Sequence, residues 1–164
     1  MDKKAKRALL KAVKAVGFGG FIAVLGLRHR IDEVCAYELV DGSGGWKNLV
    51  YHTGAEGVVD KVEVALEIER GRFRVWSEIP DLRGKLVHHP HVLMIQGYTA
   101  RPVEYRQKAK MTVTNKNGTE VLDLVYSVYE DRRRGMSFAL EDWGEGIYVY
   151  ISQGHLAPEE VQVW

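Results

Sequence analysis

The spacing of hydrophobic and polar positions changes once along the chain, near residue 17. Over residues 2–16, Lys3, Lys4, Arg7, Lys11 and Lys14 share one narrow face at roughly 100° per residue, with Ala5, Leu9, Ala12, Val13 and Val16 opposite. This pattern predicts a cationic amphipathic helix within residues 1–17, ended by Gly17, Gly19 and Gly20. From Phe18 onward the period is two. In residues 62–79, Val62, Val64, Leu66 and Ile68 alternate with Glu63, Ala65, Glu67 and Glu69, as in a strand with one buried face. A two-residue Arg70-Gly71 turn would then set Glu69 against Arg72, Ile68 against Phe73, Glu67 against Arg74, Leu66 against Val75 and Ala65 against Trp76. Opposite charges meet along one face of that ladder and apolar side chains along the other.

Asn117-Gly118 signals a second hairpin, with Val113 opposite Leu122 and Met111 opposite Leu124. The third is SFALEDWGEGIYVYIS, with Ile147, Val149 and Ile151 on one face and Tyr148 and Tyr150 on the other. Upstream, FIAVLGL, EVCAYELV and WKNLVYH read as three further strands, separated by RHRID and DGSGG. Residues 18–164 thus hold about ten short strands, with no internal repeat and no linker long enough to divide the chain. The expectation is one all-β domain over residues 1–164, an antiparallel β-sandwich of immunoglobulin-like or jelly-roll-like form, or a barrel, carrying one N-terminal helix. The stretch VTNKNGTEVLDLVYSVYE followed by FALEDWGEGIYVYI resembles the end of many immunoglobulin-like modules, which implies a fold and no functional residue.

Composition narrows the classes of function. The 46% hydrophobic and 27% charged content is that of an ordinary globular chain, long enough at 164 residues to bury roughly two-thirds of its unfolded surface. Lys and Arg number 23 against 22 Asp and Glu, so no global charge draws the protein to nucleic acid. A lone cysteine, Cys35, excludes an intrachain disulfide framework, and its place beside Tyr37 and Leu39 predicts a buried, inert thiol. The compartment stays open. The basic start followed by an apolar run has the outline of a signal peptide, but Lys11 and Lys14 interrupt it, and the segment reads as part of the fold. The run from Ala15 to Leu27 is short for a membrane span.

Candidate chemistry is sparse. In GKLVHHPHVLMIQ, residues 84–96, His89 and His91 would share one face of a strand. The stretch resembles the first motif of cupin barrels, and that resemblance would make His89, His91 and Gln96 metal ligands. Gln96 stands where a glutamate ligand is usual and Pro90 removes a ladder donor, so the favoured expectation is no metal and no cofactor. No nucleophilic triad or phosphate-binding loop is present, and the glycines of DGSGG read as turn formers. The run Asp131–Gly135, rich in arginine, reads as a solvated tip before an anion site.

Aromatic residues among charges are more suggestive. Arg74, Trp76, Trp143, Tyr148 and Tyr150 are the candidate contacts for a ligand or interface. The favoured function is a non-catalytic binding or assembly protein acting through exposed aromatics and sheet edges. Its partner would be another protein, a second copy of itself or a carbohydrate, with no nucleic acid. Two alternatives stand beside it. Lys3, Lys4, Arg7, Lys11 and Lys14 could rest on an anionic membrane or acidic partner, in a layout that resembles actinoporin-like pore formers. The cupin resemblance implies instead a metal-dependent enzyme.

Overall fold

A computed structural model describes residues 1–53 and 62–163. Helix α1 (Lys3–Lys14) is capped by Asp2, whose Oδ1 accepts from the Ala5 amide at 2.7 Å. Strands β1 (Phe21–Val24) and β2 (Leu27–Arg30) follow, then β3 (Glu33–Leu39), β4 (Gly45–Thr53), β5 (Val62–Glu69) and β6 (Arg72–Glu78). After a single turn at Pro80–Leu82 come β7 (Leu93–Ile95), β8 (Tyr98–Asn115), β9 (Gly118–Asp131), β10 (Met136–Asp142) and β11 (Ile147–Ser152). The short β12 (His155–Leu156) and β13 (Val161–Val163) end the chain.

The all-β class with one N-terminal helix is as the patterning predicts, and of the two closures it is the barrel that forms. Strands β3 to β6 make one antiparallel meander and β8 to β11 another. They join where β3 pairs β8 and where β6 pairs β11 through Tyr150↔Glu78 and Ile151↔Ser77. The Ile79 amide extends that second seam, donating to the Val149 carbonyl at 2.8 Å. The eight strands therefore close on themselves, which removes their edges. The segment that resembles an immunoglobulin module supplies four consecutive strands of this barrel.

Two layers wrap the barrel from outside. A three-stranded sheet, β13-β1-β2, and α1 cover the outer face of β4, β5 and β6. Val13 and Val16 of the helix end pack there with Ile22, Leu49, Leu66 and Phe73. The connection from β6 to β8 covers β9, β10 and β11, where Ile79, Leu93 and Ile95 meet Tyr129, Phe138, Leu140 and Val149. The apolar alternation of β5 and β11 thus faces outward from the barrel into these layers, and the alternate polar positions face inward.

Three local expectations need correction. FIAVLGL is not one strand but a hairpin, because Leu25 (φ 52°) and Gly26 (φ 80°) both take the left-handed region and reverse the chain. The following Arg28-His29-Arg30, read as a connection, is part of β2. The second hairpin turns at Lys116-Asn117, so Met111 faces Leu122 and Val113 faces Glu120. The Asn115 carboxamide accepts from the Asn117 amide at 2.9 Å and starts the turn one residue earlier than Asn-Gly alone suggests, which moves each cross-strand partner by two. A shift of two keeps every side chain on its expected face. The first hairpin has the predicted register throughout, from Glu69↔Arg72 to Ala65↔Trp76, with Arg70 (φ 50°) and Gly71 (φ 74°) as its turn.

Candidate functional site

The barrel encloses a cavity of about 960 Å³. An eight-stranded barrel is just wide enough for its own side chains to fill, or for one small ligand to replace them. Here Ala65 and Ala139 stand at inward positions where larger residues would fill the space. Around them β3 contributes Cys35 and Tyr37, β4 Trp46 and Asn48, and β5 Glu63 and Glu67. From β6 come Arg74 and Trp76, and from β9, β10 and β11 come Tyr126, Glu141, Tyr148 and Tyr150.

Aromatic rings form the walls. Tyr37 stacks on Trp46 with centroids 4.5 Å apart and planes 8° from parallel, and Trp46 meets Tyr126 edge-on at 5.0 Å. Trp76 donates from Nε1 to Glu67 Oε2 at 2.9 Å while the Arg74 guanidinium lies 5.2 Å from its ring centroid. Trp143 and Tyr148 pack at 4.2 Å, with the Arg83 guanidinium 4.7 Å from the Tyr148 ring.

The charges inside are unevenly paired. Arg83 is bound to Glu78 by two bonds, 2.8 Å from Nε and 2.5 Å from Nη2, so both groups are spent on each other. Arg74 donates from Nη2 to His155 Nε2 at 3.2 Å, and its Nε has no protein partner. The Glu63 and Glu141 carboxyls have no hydrogen bond or ion pair among the described residues. Burial pushes the Glu63 carboxyl up to about 7, helped by the charges of Glu78 and Glu33. Burial likewise raises Glu67 to about 7, with Glu69 adding to it. Glu141 rises to about 8, first through burial and then through Glu63 and Glu67, which face it from β5. Glu141 is half-buried and borders the cavity, so its carboxyl is poorly solvated and still within reach of a guest. Burial also holds the Tyr37 and Tyr150 hydroxyls well above their ordinary range, so both stay protonated.

Asn48, only 7% exposed, donates to the Tyr37 hydroxyl at 3.4 Å and leaves its Oδ1 without a protein partner. A buried acceptor left in this state is costly unless something meets it. Cys35 donates to Glu33 at 3.4 Å, and burial raises its thiol far above the range in which a thiolate forms at neutral pH. It is buried, as its sequence setting implies.

The structure brings Arg74, Trp76, Trp143, Tyr148 and Tyr150 together on this one cavity. They were expected on an open surface. Trp76 is 5% exposed because the polar face of its strand turns into the barrel. Sequence reasoning missed Glu63, Glu67, Glu141, Asn48, Tyr37 and Trp46. The one available signal was their shared parity with Trp76 and Tyr150 on alternating strands.

The other candidates lie elsewhere. His89 is buried, its Nδ1 2.6 Å from Ser127 Oγ, while His91 is exposed and stacks on Tyr105 at 4.9 Å. Both sit in an irregular loop, not on one face of a strand, and Gln96 (φ 49°) occupies the exposed turn before β8. These three side chains do not converge, and no cluster of three His, Cys, Asp or Glu suited to a metal occurs among the described residues. Lys3, Lys4, Arg7, Lys11 and Lys14 are exposed on the docked helix. In the arginine-rich turn, Asp131 is buried and accepts from the Thr99 and Arg134 amides, while Arg134 lies over Tyr98 at 4.1 Å. That turn is tied into the fold. Comparison of the chain with protein families, with curated proteins and with solved structures finds no match.

Proposed function

We propose that the protein is a non-catalytic binding protein whose ligand is a small molecule held inside the barrel. The observation that carries this reading is the cavity itself. Its volume is that of a small-molecule site, its walls are aromatic, and a few polar groups converge in it without internal partners. The Cys35 thiol that lines it is held protonated by burial and so offers no thiolate nucleophile. Closure of the eight strands removes the barrel's own edges, and with the cavity inside it this centres the binding reading on the interior.

Trp46, Trp76 and Trp143 line the cavity and make intrinsic fluorescence the natural readout. A panel of small amines, alcohols, carboxylates, sugars and fatty acids, titrated into the protein, should include members that shift this fluorescence. Ala65→Phe and Ala139→Phe each fill the cavity and should abolish the response while the circular dichroism of the barrel persists. A panel without a single binder, or binding that survives in both folded variants, would remove the interior as the site.

A further inference from the structure

We propose that the barrel selects an organic cation, a protonated amine on an apolar body, with its charge among Glu63, Glu67 and Glu141 and its body against the tyrosine and tryptophan walls. This rests on the reading of the cavity as a ligand site and names the chemistry of the guest. Charge is the first ground. Nine glutamates line the cavity against four arginines, with no lysine among them. Arg83 is spent on Glu78, and Arg74 is directed to His155 and the Trp76 ring. The Glu63 and Glu141 carboxyls have no ion pair among the described residues while Arg74 keeps one unpartnered donor at Nε, and low-dielectric walls concentrate the field of such groups.

Asn48 is the second ground, and it is independent of the carboxylates. Its side chain is more than nine-tenths buried, lines the cavity, and presents an oxygen acceptor that no protein group meets. An N–H donor on the guest satisfies it, whereas an anion would leave it bare. The third is the surrounding rings. Tyr37, Trp46, Trp76 and Tyr150 offer the electron-rich faces that attract ammonium groups once water is removed.

Protonation fits the same assignment. With carboxyls raised to about 7, 7 and 8, the three groups hold protons near neutral pH that relieve the repulsion between them. Entry of an ammonium favours the carboxylates, so carboxyl O–H bonds break and the protons pass to solvent while the guest keeps its own. The other charged or titratable groups facing this cluster are Glu33, Cys35 and Tyr37 from β3, His52 from β4, Glu69 from β5, Arg74 and Glu78 from β6, Glu104 from β8, Tyr148 and Tyr150 from β11, and Arg83. Cys35, Tyr37 and Tyr150 stay protonated throughout and do not compete for the released charge.

Calorimetric titration of the full chain with phenethylamine, phenethyl alcohol and hydrocinnamate tests this directly, because the three share one body and differ in charge. The amine is expected to bind about 30-fold tighter than the other two, the size of effect seen when a desolvated ion pair loses one partner. Repeating the titration in two buffers of different ionisation enthalpy should show roughly one proton released per amine at neutral pH. Glu141→Gln, with Glu63→Gln as a second near-isosteric variant, should erase most of the preference for amine and leave the weak alcohol binding unchanged. Alcohol or carboxylate binding as tightly as the amine, or panel binders that include no amine, overturns the cation assignment and leaves a barrel for another ligand. Amine binding without proton release and undiminished in both variants overturns it too. The reading of the cavity as a binding site fails separately, on the plugged variants or a panel with no binder.

Discussion

Strands β5 and β6 present two faces, both withdrawn from bulk water, and the faces are built on opposite principles. Outward, Val64, Leu66, Ile68 and Phe73 are buried against α1, β1 and β13 in a continuous apolar layer. Inward, Glu63, Glu67, Arg74 and Trp76 border a cavity. The outer face gains from every ångström of apolar area it hides, at roughly 25 cal/mol per Å². The inner face carries charges in a poorly solvated space and keeps volume unfilled, both of which oppose folding. Stability is therefore concentrated outside the barrel and the proposed binding capacity inside it, and the two should respond to mutation with opposite signs.

The largest expected effect comes from breaking the outer layer. Phe73→Ala removes a side chain that is almost wholly buried and should cost about 3–5 kcal/mol in urea unfolding. A loss below about 1 kcal/mol would mean that the outer layer is not where the stability resides. Removing residues 1–16 comes next. Val13 and Val16 are buried against the barrel, and their loss should lower stability by about 3 kcal/mol with a clear drop in Tm. A truncated protein that melts unchanged, yet loses salt-sensitive binding to anionic vesicles, would instead make the helix a membrane device.

The inner face should behave the other way. The Glu63, Glu67 and Glu141 carboxyls are more basic in the folded protein than in the unfolded chain. Folding therefore takes up protons above about pH 4.5, where unfolded carboxyls have already ionised. Their contribution to stability is complete below that point and is lost as pH rises through about 7 to 8. Glu141→Gln removes its share of this loss. The variant should match the wild type near pH 5 and exceed it by about 2 kcal/mol at pH 9, read as the difference between two pH series. A difference that shrinks toward high pH would show that Glu141 is stabilised as an anion. The smallest effect concerns the turn that sets both faces. Arg70 holds φ 50°, a region that asparagine tolerates better, so Arg70→Asn should gain about 0.5 kcal/mol in unfolding. The register of both faces should be untouched by it, since the turn keeps its two residues.

Some of this architecture was legible in the chain. The β5–β6 register followed from turn chemistry and charge pairing because both are local and agree. The second hairpin slipped by two because Asn115 nucleates a turn that competes with Asn-Gly. The β1–β2 hairpin was hidden because Leu25 is a poor advertisement for a positive φ, which the paired strands impose. The pocket residues Trp76, Arg74, Tyr148 and Tyr150 stood out as aromatics and charges sharing a polar face. Glu63, Glu67 and Glu141 did not, because a glutamate at every second position is also what a strand open to water looks like.

What the amino-acid order determined by itself is each strand's division into an apolar and a polar face, along with the helix and most turns, since these depend on neighbours a few residues apart. Only the tertiary structure decided what the polar face looks upon. That depends on the seam at Tyr150↔Glu78 and Ile151↔Ser77, which joins strands some seventy residues apart and turns an exposed surface into an interior. It depends equally on the outer layers, whose apolar residues bind the face that a sandwich would have kept for its core. Period-two alternation is the same for a half-buried sheet and for a barrel wrapped from outside. The difference lies in the curvature and closure of the whole sheet, to which no short stretch of chain has access.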